Sequence, residues 1–227
     1  MRLLLAISFS ILASSVAAAQ QPAAPAKPFE PVSGQAGKDV VWVPSPPDMV
    51  ALSRKLAQEA GVADKAQFVE ADMYTYDIST ATVMALFLLP VNMNRLAPKF
   101  FALAPGSRIV ANTFGIDGWE PDERVTLPQS SECDSWCEAL LWIVPAKIAG
   151  TWTTGNGTMT LTQEYQTVQG TVTTGGAPQT VVTGRLRGEE LTFIANGMTY
   201  KGLAKGNTIE GTITTPSGAV PWTATRR

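Results

Sequence analysis

Residues 47–114 carry the pattern that most constrains the fold of this chain, because short apolar blocks alternate there with helical stretches. A helical stretch, Pro47 to Val62, precedes three apolar blocks, which are Gln67–Asp72, Thr82–Pro90 and Ser107–Asn112. Near-continuous apolar strands interleaved with helices are typical of a parallel sheet that is covered on both faces. The sequence therefore predicts an α/β fold for residues 39–148.

The composition changes near residue 148. Residues 149–227 contain 20 threonines and 13 glycines. Such a composition disfavours helices and suits short strands joined by tight turns. We expect six to eight antiparallel strands here, in a small barrel or sandwich. The predicted fold class is thus an α/β core followed by a small antiparallel β module.

The N-terminus has the layout of a signal peptide. Met1-Arg2 precedes a mostly apolar run of 14 residues, Leu3 to Val16, and three alanines follow it. A basic start, a short apolar core and small residues at the cut are the features of a secretory leader, so we predict a signal peptide over residues 1–19. An uncleaved N-terminal anchor is the alternative. Residues 20–38 are rich in proline and alanine and read as a linker. We expect an exported protein, periplasmic or secreted, with no membrane span after leader removal.

Charge and residue counts exclude several functions. The net charge of −2 and the pI near 5.2 argue against nucleic acid as a partner. The chain has no histidine, which excludes Ser-His-Asp and Cys-His catalysis and every histidine-containing zinc site. Two thiolates alone do not complete a zinc site either. Cys133 and Cys137 are expected to form a disulfide in an oxidising compartment, or to stay as two free thiols, since this spacing is awkward within a straight helix.

The acidic residues suggest no catalytic pair, and no catalytic residue is assigned. Glu70 and Asp72 lie two positions apart and would share one face of a strand, whereas a glycosidase pair brackets its substrate from opposite sides. Four further acids form a loop that lacks the spacing of an EF-hand, and we interpret this loop as solvated. They are Asp117, Glu120, Asp122 and Glu123.

The order of the segments resembles the rear half of a class I S-adenosylmethionine-dependent methyltransferase. Gln67–Met73 looks like the third strand with its adenine-edge turn, and Val83–Pro90 looks like the fourth strand. Ala104–Val110 looks like the turn into the fifth strand, and Glu123–Leu127 with Ala139–Val144 looks like the closing antiparallel hairpin. The amino-acid sequence of these segments is similar to that of small bacterial enzymes related to protein-lysine methyltransferases. The resemblance implies a Rossmann-like core and S-adenosylmethionine as cofactor.

The resemblance also implies roles for five residues. Asp72 would accept a hydrogen bond from the adenine amino group, and the backbone amide of Met73 would meet a ring nitrogen. Leu89 and Pro90 occupy the place of the loop on the substrate side, and Asn94 follows in the next helix. The methyl acceptor is left open between a protein lysine and a small molecule.

The front half of the family pattern is missing from this chain. No glycine-rich cofactor loop appears between residues 39 and 60, and the first helix is fused to a later one between Val50 and Arg54. The absent strand–helix–strand unit amounts to roughly 30 residues. Either Asp39–Val43 supplies a substitute strand, or the third strand pairs directly with the fourth. We therefore expect a degenerate methyltransferase whose cofactor binding is doubtful; the alternative is a non-enzymatic periplasmic protein acting through its C-terminal β domain.

Overall fold

The first domain is built around a mixed β-sheet. The structure is a computed structural model that describes residues 3–7, 39–42, 47–129, 133, 135–155 and 157–227. Within these residues the sheet has seven strands: β1 Leu3–Ile7, β2 Asp39–Trp42, β3 Ala66–Val69, β4 Val83–Phe87, β5 Arg108–Asn112, β6 Glu123–Thr126 and β7 Glu138–Ile143. Their order across the sheet is β3-β2-β1-β4-β5-β7-β6.

The pairing of these strands places the sheet in the doubly wound class. Strands β3, β2, β1, β4 and β5 are parallel, and β7 runs antiparallel to β5 and β6. The order 3-2-1-4-5 reverses direction between β1 and β4, which is the switch point outside which such folds bind ligands. The carboxyl ends of β1 and β4 meet there, with Ile7 in register with Phe87.

Two helices are described in the first domain, α1 Pro47–Glu59 and α2 Pro90–Phe101. Proline suits the first turn of each helix, because backbone N–H groups there have no acceptor within the helix and the missing hydrogen of proline costs no hydrogen bond. Helix α2 buries one stripe, formed by Met93, Leu96, Ala97 and Phe100. This i, i+3, i+4, i+7 spacing is the apolar face of a helix packed on a sheet. The stripe joins the core that also contains Met84, Ile109 and Trp142.

The central strand has an unexpected source. Leu3–Ile7 pairs with β2 on one side and with β4 on the other, in registers such as Leu4 with Val40 and Leu5 with Ala85. This strand lies inside the predicted signal peptide, whose remaining residues and the predicted linker lie outside the described residues. Removal of residues 1–19 would take β1 away, so the strand and the cleaved leader exclude each other in one mature molecule.

Strands β2 and β1 fill the gap in the sheet. Asp39–Trp42 does form a strand, as the first arrangement proposed. The direct pairing of the third strand with the fourth is wrong, because β2 and β1 both lie between β3 and β4. The apolar N-terminal strand β1 pairs with β2 on one side and with β4 on the other, and so it fills the position between them.

The second domain is a closed antiparallel barrel, which decides between the predicted barrel and sandwich. Each strand pairs with the next along the chain, and β15 pairs with β8 to close the ring. The eight strands of its described residues are β8 Gly150–Thr154, β9 Gly157–Glu164, β10 Thr167–Thr174, β11 Gln179–Arg187, β12 Glu190–Ala195, β13 Met198–Lys205, β14 Thr208–Thr215 and β15 Gly218–Arg226. The predicted fold class, an α/β core followed by a small antiparallel β module, is confirmed.

Side chains fill the barrel interior because inward and outward residues alternate along each strand. Phe193 stacks on Tyr200 with the ring centroids 4.5 Å apart, and both rings meet Trp222 edge to face. Trp152 of β8 is also fully buried and donates from Nε1 to the carbonyl of Ile148 at 2.8 Å. Across the described ranges, no helix is long and apolar enough to cross a membrane.

Candidate functional site

The candidate site lies at the carboxyl edge of the parallel strands. Asp72 and Met73 follow the end of β3, and Leu89 and Pro90 follow the end of β4. Strands β2 and β1 separate these two ends, so three strand spacings, about 14 Å, lie between them. An extended ligand bound across the switch point could touch both groups, one at each end.

Asp72 begins a tight turn. Its Oδ1 accepts a hydrogen bond from the Tyr74 amide at 2.8 Å, and its carbonyl accepts from the amides of Thr75 at 3.1 Å and Tyr76 at 2.8 Å. An aspartate that bonds the backbone two residues ahead is a common turn former. The side chain is exposed and a carboxylate has several acceptor positions, so Asp72 retains the capacity to accept another donor.

Helix α2 holds this turn through Lys99, a residue that the sequence interpretation did not select. The Lys99 ammonium donates to the carbonyls of Met73 and Tyr74, each at 3.2 Å, and to the carbonyl of Tyr76. Three carbonyls around one ammonium satisfy all of its donors. The position and shape of the turn that carries Asp72 therefore depend on a side chain from α2.

Tyr74 adds two contacts to the same helix. Its hydroxyl donates to Asn92 Oδ1 at 2.7 Å, and the guanidinium of Arg95 lies 3.7 Å from the centre of its ring. The spacing of Asn92, Arg95 and Lys99 places them along one stripe of α2. No local motif signals this stripe, because its partners come from a turn at least 18 residues earlier.

Leu89, Pro90 and Asn94 lie at the start of α2. Leu89 is the N-cap residue and is 60% exposed, and Pro90 opens the helix. Asn94 makes a reciprocal pair with Asp117, which follows β5: Asn94 Nδ2 donates to Asp117 Oδ2 at 2.7 Å, and the Asp117 amide donates to Asn94 Oδ1 at 2.8 Å. The structure thus gives Asn94 a fixed orientation and a carboxylate neighbour.

The interpretation of the acidic loop as solvated is wrong for Asp122. The Asp122 side chain is 1% exposed; its Oδ1 bonds Arg185 of β11 at 3.0 Å, and its Oδ2 accepts from the Ile143 amide at 2.8 Å. Glu123 pairs with Arg187 of the same strand. Arginines more than 60 residues away neutralise these acids, and this is why the local sequence gave no sign of them.

Cys133 and Cys137 form a close pair at bonding distance, with Cα atoms 5.8 Å apart. Between them, Trp136 has a positive φ of 58° and is 55% exposed. Its ring meets Phe87 edge to face at 5.3 Å, and its carbonyl accepts a hydrogen bond from Asn112 Nδ2 at 2.9 Å. The pair therefore closes a small loop beside the carboxyl ends of β4 and β5.

Among the described residues, Asp77 and Tyr200 have shifted pKa values, and neither belongs to the candidate site. The backbone amide of Ser79, helped by its hydroxyl, lowers the pKa of Asp77. Burial raises the pKa of Tyr200 inside the barrel. Among the residues the structure describes, no cluster of three or more acids and cysteines could hold a metal ion.

The fold and the site define a class of protein: a doubly wound sheet with one antiparallel strand, β7, whose candidate residues follow the carboxyl ends of its parallel strands. Comparison with known proteins agrees. Residues 32–123 match the model of the ANTKMT methyltransferase domain. A protein-lysine N-methyltransferase from Saccharolobus islandicus is 40% identical over 69 residues, which is 30% of this chain and 43% of that protein.

A solved structure matches as well. The RNA methyltransferase from Salinibacter ruber, in complex with S-adenosyl-L-homocysteine, is 38% identical, with a TM-score of 0.43; the match covers 49% of this chain and 68% of that one. Residues 32–123 therefore carry a methyltransferase domain, as the resemblance predicted. Its match spans less than half the length of the curated protein-lysine N-methyltransferase.

The residues present fit the family's cofactor at one end only. At the end that the resemblance assigns to adenine, Asp72 offers an exposed carboxylate beside the Met73 amide. At the other end, the central strand is Leu3–Ile7, and the first glycine after it in the sequence is Gly34. Glycine after this strand normally lets the backbone approach the cofactor. Strand β2 ends at Trp42 and is followed by Val43, so it provides no acid for the ribose hydroxyls.

Proposed function

We propose that this protein is a degenerate methyltransferase that keeps the adenine end and the acceptor side of the family's site but binds S-adenosylmethionine poorly. The supporting observation is the identity of the central strand, because Leu3–Ile7 brings no glycine-rich loop to the switch point. Such a loop cradles the cofactor in this fold class, and the sequence after β1 has no glycine before Gly34.

The expected affinity follows from the contacts that are left. A hydrogen bond accepted by the Asp72 carboxylate contributes about 1.5–3 kcal/mol, and one donated by the Met73 amide contributes about 0.5–1.5 kcal/mol. A dissociation constant of 1 μM requires about −8 kcal/mol. Two contacts therefore fall well short of micromolar affinity. No methyl-transfer step is assigned to these residues, because the cofactor's reactive end has no partner among them.

The acceptor is also part of the proposal. The two named relatives differ, since one is a protein-lysine methyltransferase and the other an RNA methyltransferase. The net charge of −2 disfavours a polyanion. We therefore propose a protein lysine or a small molecule as the ancestral acceptor. Export to the periplasm or outside the cell stays a prediction, and cleavage of residues 1–19 on export would remove β1 from the mature protein.

Calorimetry with S-adenosylhomocysteine on the full chain tests the proposal. We expect no binding in the micromolar range. The Salinibacter ruber RNA methyltransferase, whose structure contains S-adenosyl-L-homocysteine, is the positive control and should bind in the same assay. Any weak binding at higher concentration should fall in Asp72→Ala, whereas the neighbouring Glu70→Ala should leave it unchanged. Micromolar binding by the unaltered chain, abolished by Asp72→Ala, would contradict the proposal.

A second candidate function rests on the barrel. A groove of about 600 Å³ lies where the pairing of β10 with β11 shifts register, and two of the residues that line it, Gly170 and Gly184, have no side chain. Its other lining residues are mostly polar and include Thr162, Gln169, Thr180 and Thr183. Such a groove favours a non-enzymatic binding role. Chemical shift changes confined to these residues on titration with a candidate ligand would support it.

A further inference from the structure

The segment that joins β5 to β6, residues 113–122, is shared between the candidate site and the barrel. At its first half, Asp117 makes the reciprocal pair with Asn94 at the start of α2. At its second half, Trp119, Glu120 and Asp122 contact the barrel. One residue, Gly118, separates the two halves.

The contact between the segment and the barrel begins with a stack of aromatic rings. Trp119 lies parallel to Tyr165, with centroids 4.7 Å apart and an angle of 10° between the planes. Tyr165 sits in the turn between β9 and β10 and also meets Phe101, at the end of α2, edge to face at 5.4 Å. Trp119 is only 1% exposed. The tyrosine ring thus touches both the segment and the helix that carries Asn94.

Two polar contacts fix the same segment from the barrel side. Gln166, which is 3% exposed, donates from Nε2 to the carbonyl of Glu120 at 2.9 Å. Arg185 bonds the buried carboxylate of Asp122 at 3.0 Å. Hydrogen bonds of buried groups hold their partners in place, because breaking them leaves a desolvated polar atom. The barrel therefore restrains three of the four residues from Trp119 to Asp122.

A restraint on Trp119 can reach Asp117 because the turn that contains both residues is short and is closed by a hydrogen bond. The Trp119 amide donates to the carbonyl of Ile116 at 3.1 Å, and Ile116 is itself buried. The Trp119 carbonyl accepts from Trp142 Nε1 at 2.7 Å, which ties the turn to strand β7. Asp117 lies inside this turn, so displacement of Trp119 would move the backbone that presents the Asp117 carboxylate and amide.

We infer that Tyr165 and Gln166 of the barrel are positioning residues for the Asn94–Asp117 pair. The barrel in this reading is not an independent module, because it sets the geometry of the acceptor side of the first domain. That Asn94 faces the acceptor rests on the proposed function, whereas the coupling between barrel and pair does not.

Hydrogen exchange at one amide reports the pair directly. The Asp117 amide is protected when it donates to Asn94 Oδ1, and Asn94→Ala gives the exchange rate of the unpaired amide. Tyr165→Asn removes the ring without new backbone strain, since Tyr165 has a φ of 48° and asparagine tolerates this region. Gln166→Met removes the amide and keeps a similar volume. Glu164→Ala is the matched control, because Glu164 is an exposed neighbour of Tyr165.

Both test variants should speed Asp117 exchange by about tenfold, which corresponds to about 1.4 kcal/mol, toward the rate seen in Asn94→Ala. Glu164→Ala should leave it unchanged. Amides of β13 and β14 serve as a folding check, and Arg185→Met provides another variant if either of the first two unfolds. The inference is overturned if exchange of the Asp117 amide stays at its original rate while exchange of the Trp119 amide rises. It is also overturned if Asp117 exchange rises only together with exchange throughout the barrel. Calorimetry with S-adenosylhomocysteine tests the proposed function separately.

Discussion

Lys99 offers a sharp test of how the candidate site is held together. Its ammonium donates to the carbonyls of Met73, Tyr74 and Tyr76, and Lys99→Met removes these donors while keeping a chain of similar length. A hydrogen bond to a charged group contributes about 1.5–3 kcal/mol. The three bonds are not additive, and carbonyls of a half-buried turn can rebind water. We therefore expect a loss of about 2–4 kcal/mol in the free energy of unfolding of the first domain.

Urea denaturation and hydrogen exchange measure this loss. A change of 2 kcal/mol would lower the melting temperature of a domain of this size by about 8 °C. Exchange of the Tyr76 amide, which donates to the Asp72 carbonyl at 2.8 Å, should rise as the turn loosens. Lys55→Met is the matched control, because the Lys55 side chain is 71% exposed and its pair with Glu59 spans 3.8 Å; we expect a change below about 0.5 kcal/mol there.

The reasoning is refuted if Lys99→Met is no less stable than Lys55→Met, or if Tyr76 exchange is the same in both. The first result would mean that water replaces the ammonium at no cost, and the second that Asp72 is positioned by its own turn alone. A loss of stability without faster Tyr76 exchange would assign Lys99 to the core rather than to the site.

Three further predictions concern the N-terminus, the cysteines and the barrel. Removal of residues 1–19 takes away β1, so amides of β4 should lose protection from hydrogen exchange while those of β13 keep it. The intact mass shows which form the cell makes. Protection of the β4 amides in a chain that starts at Gln20 would contradict the role of β1. Cys133 and Cys137 should resist alkylation until a reductant is added, and two thiols that react without reductant would disprove the bridge. Burial raises the pKa of Tyr200, so the folded state keeps the phenolic proton at a pH where the unfolded chain, with a tyrosine pKa near 10.0, has lost it. The free energy of unfolding should therefore fall as the pH rises above that value. Urea titrations at alkaline pH should show a shallower fall for Tyr200→Phe.

Local pattern was enough to predict the class of each domain. The apolar blocks that became β4 and β5 and the helix that became α2 are short-range signals, since side-chain periodicity reports which face is buried. The density of threonine and glycine predicted antiparallel strands in the same way. The family resemblance was also readable, because the order of segments survives even where one unit is missing. The absence of a glycine-rich loop is likewise a property of the sequence alone.

Only the tertiary structure decided which segment fills the centre of the sheet. A run such as Leu3–Ile7 satisfies the requirements of a leader and of a buried strand equally well, and pairing with Val83–Phe87, about 80 residues later, selects the strand. The same holds for Asp122, whose partner Arg185 is 63 residues away. It also holds for Lys99, whose acceptors belong to a turn 23 to 26 residues earlier. Composition and periodicity describe how a segment meets solvent and core, but they carry no information on which distant backbone or charge it will meet once the chain has closed on itself.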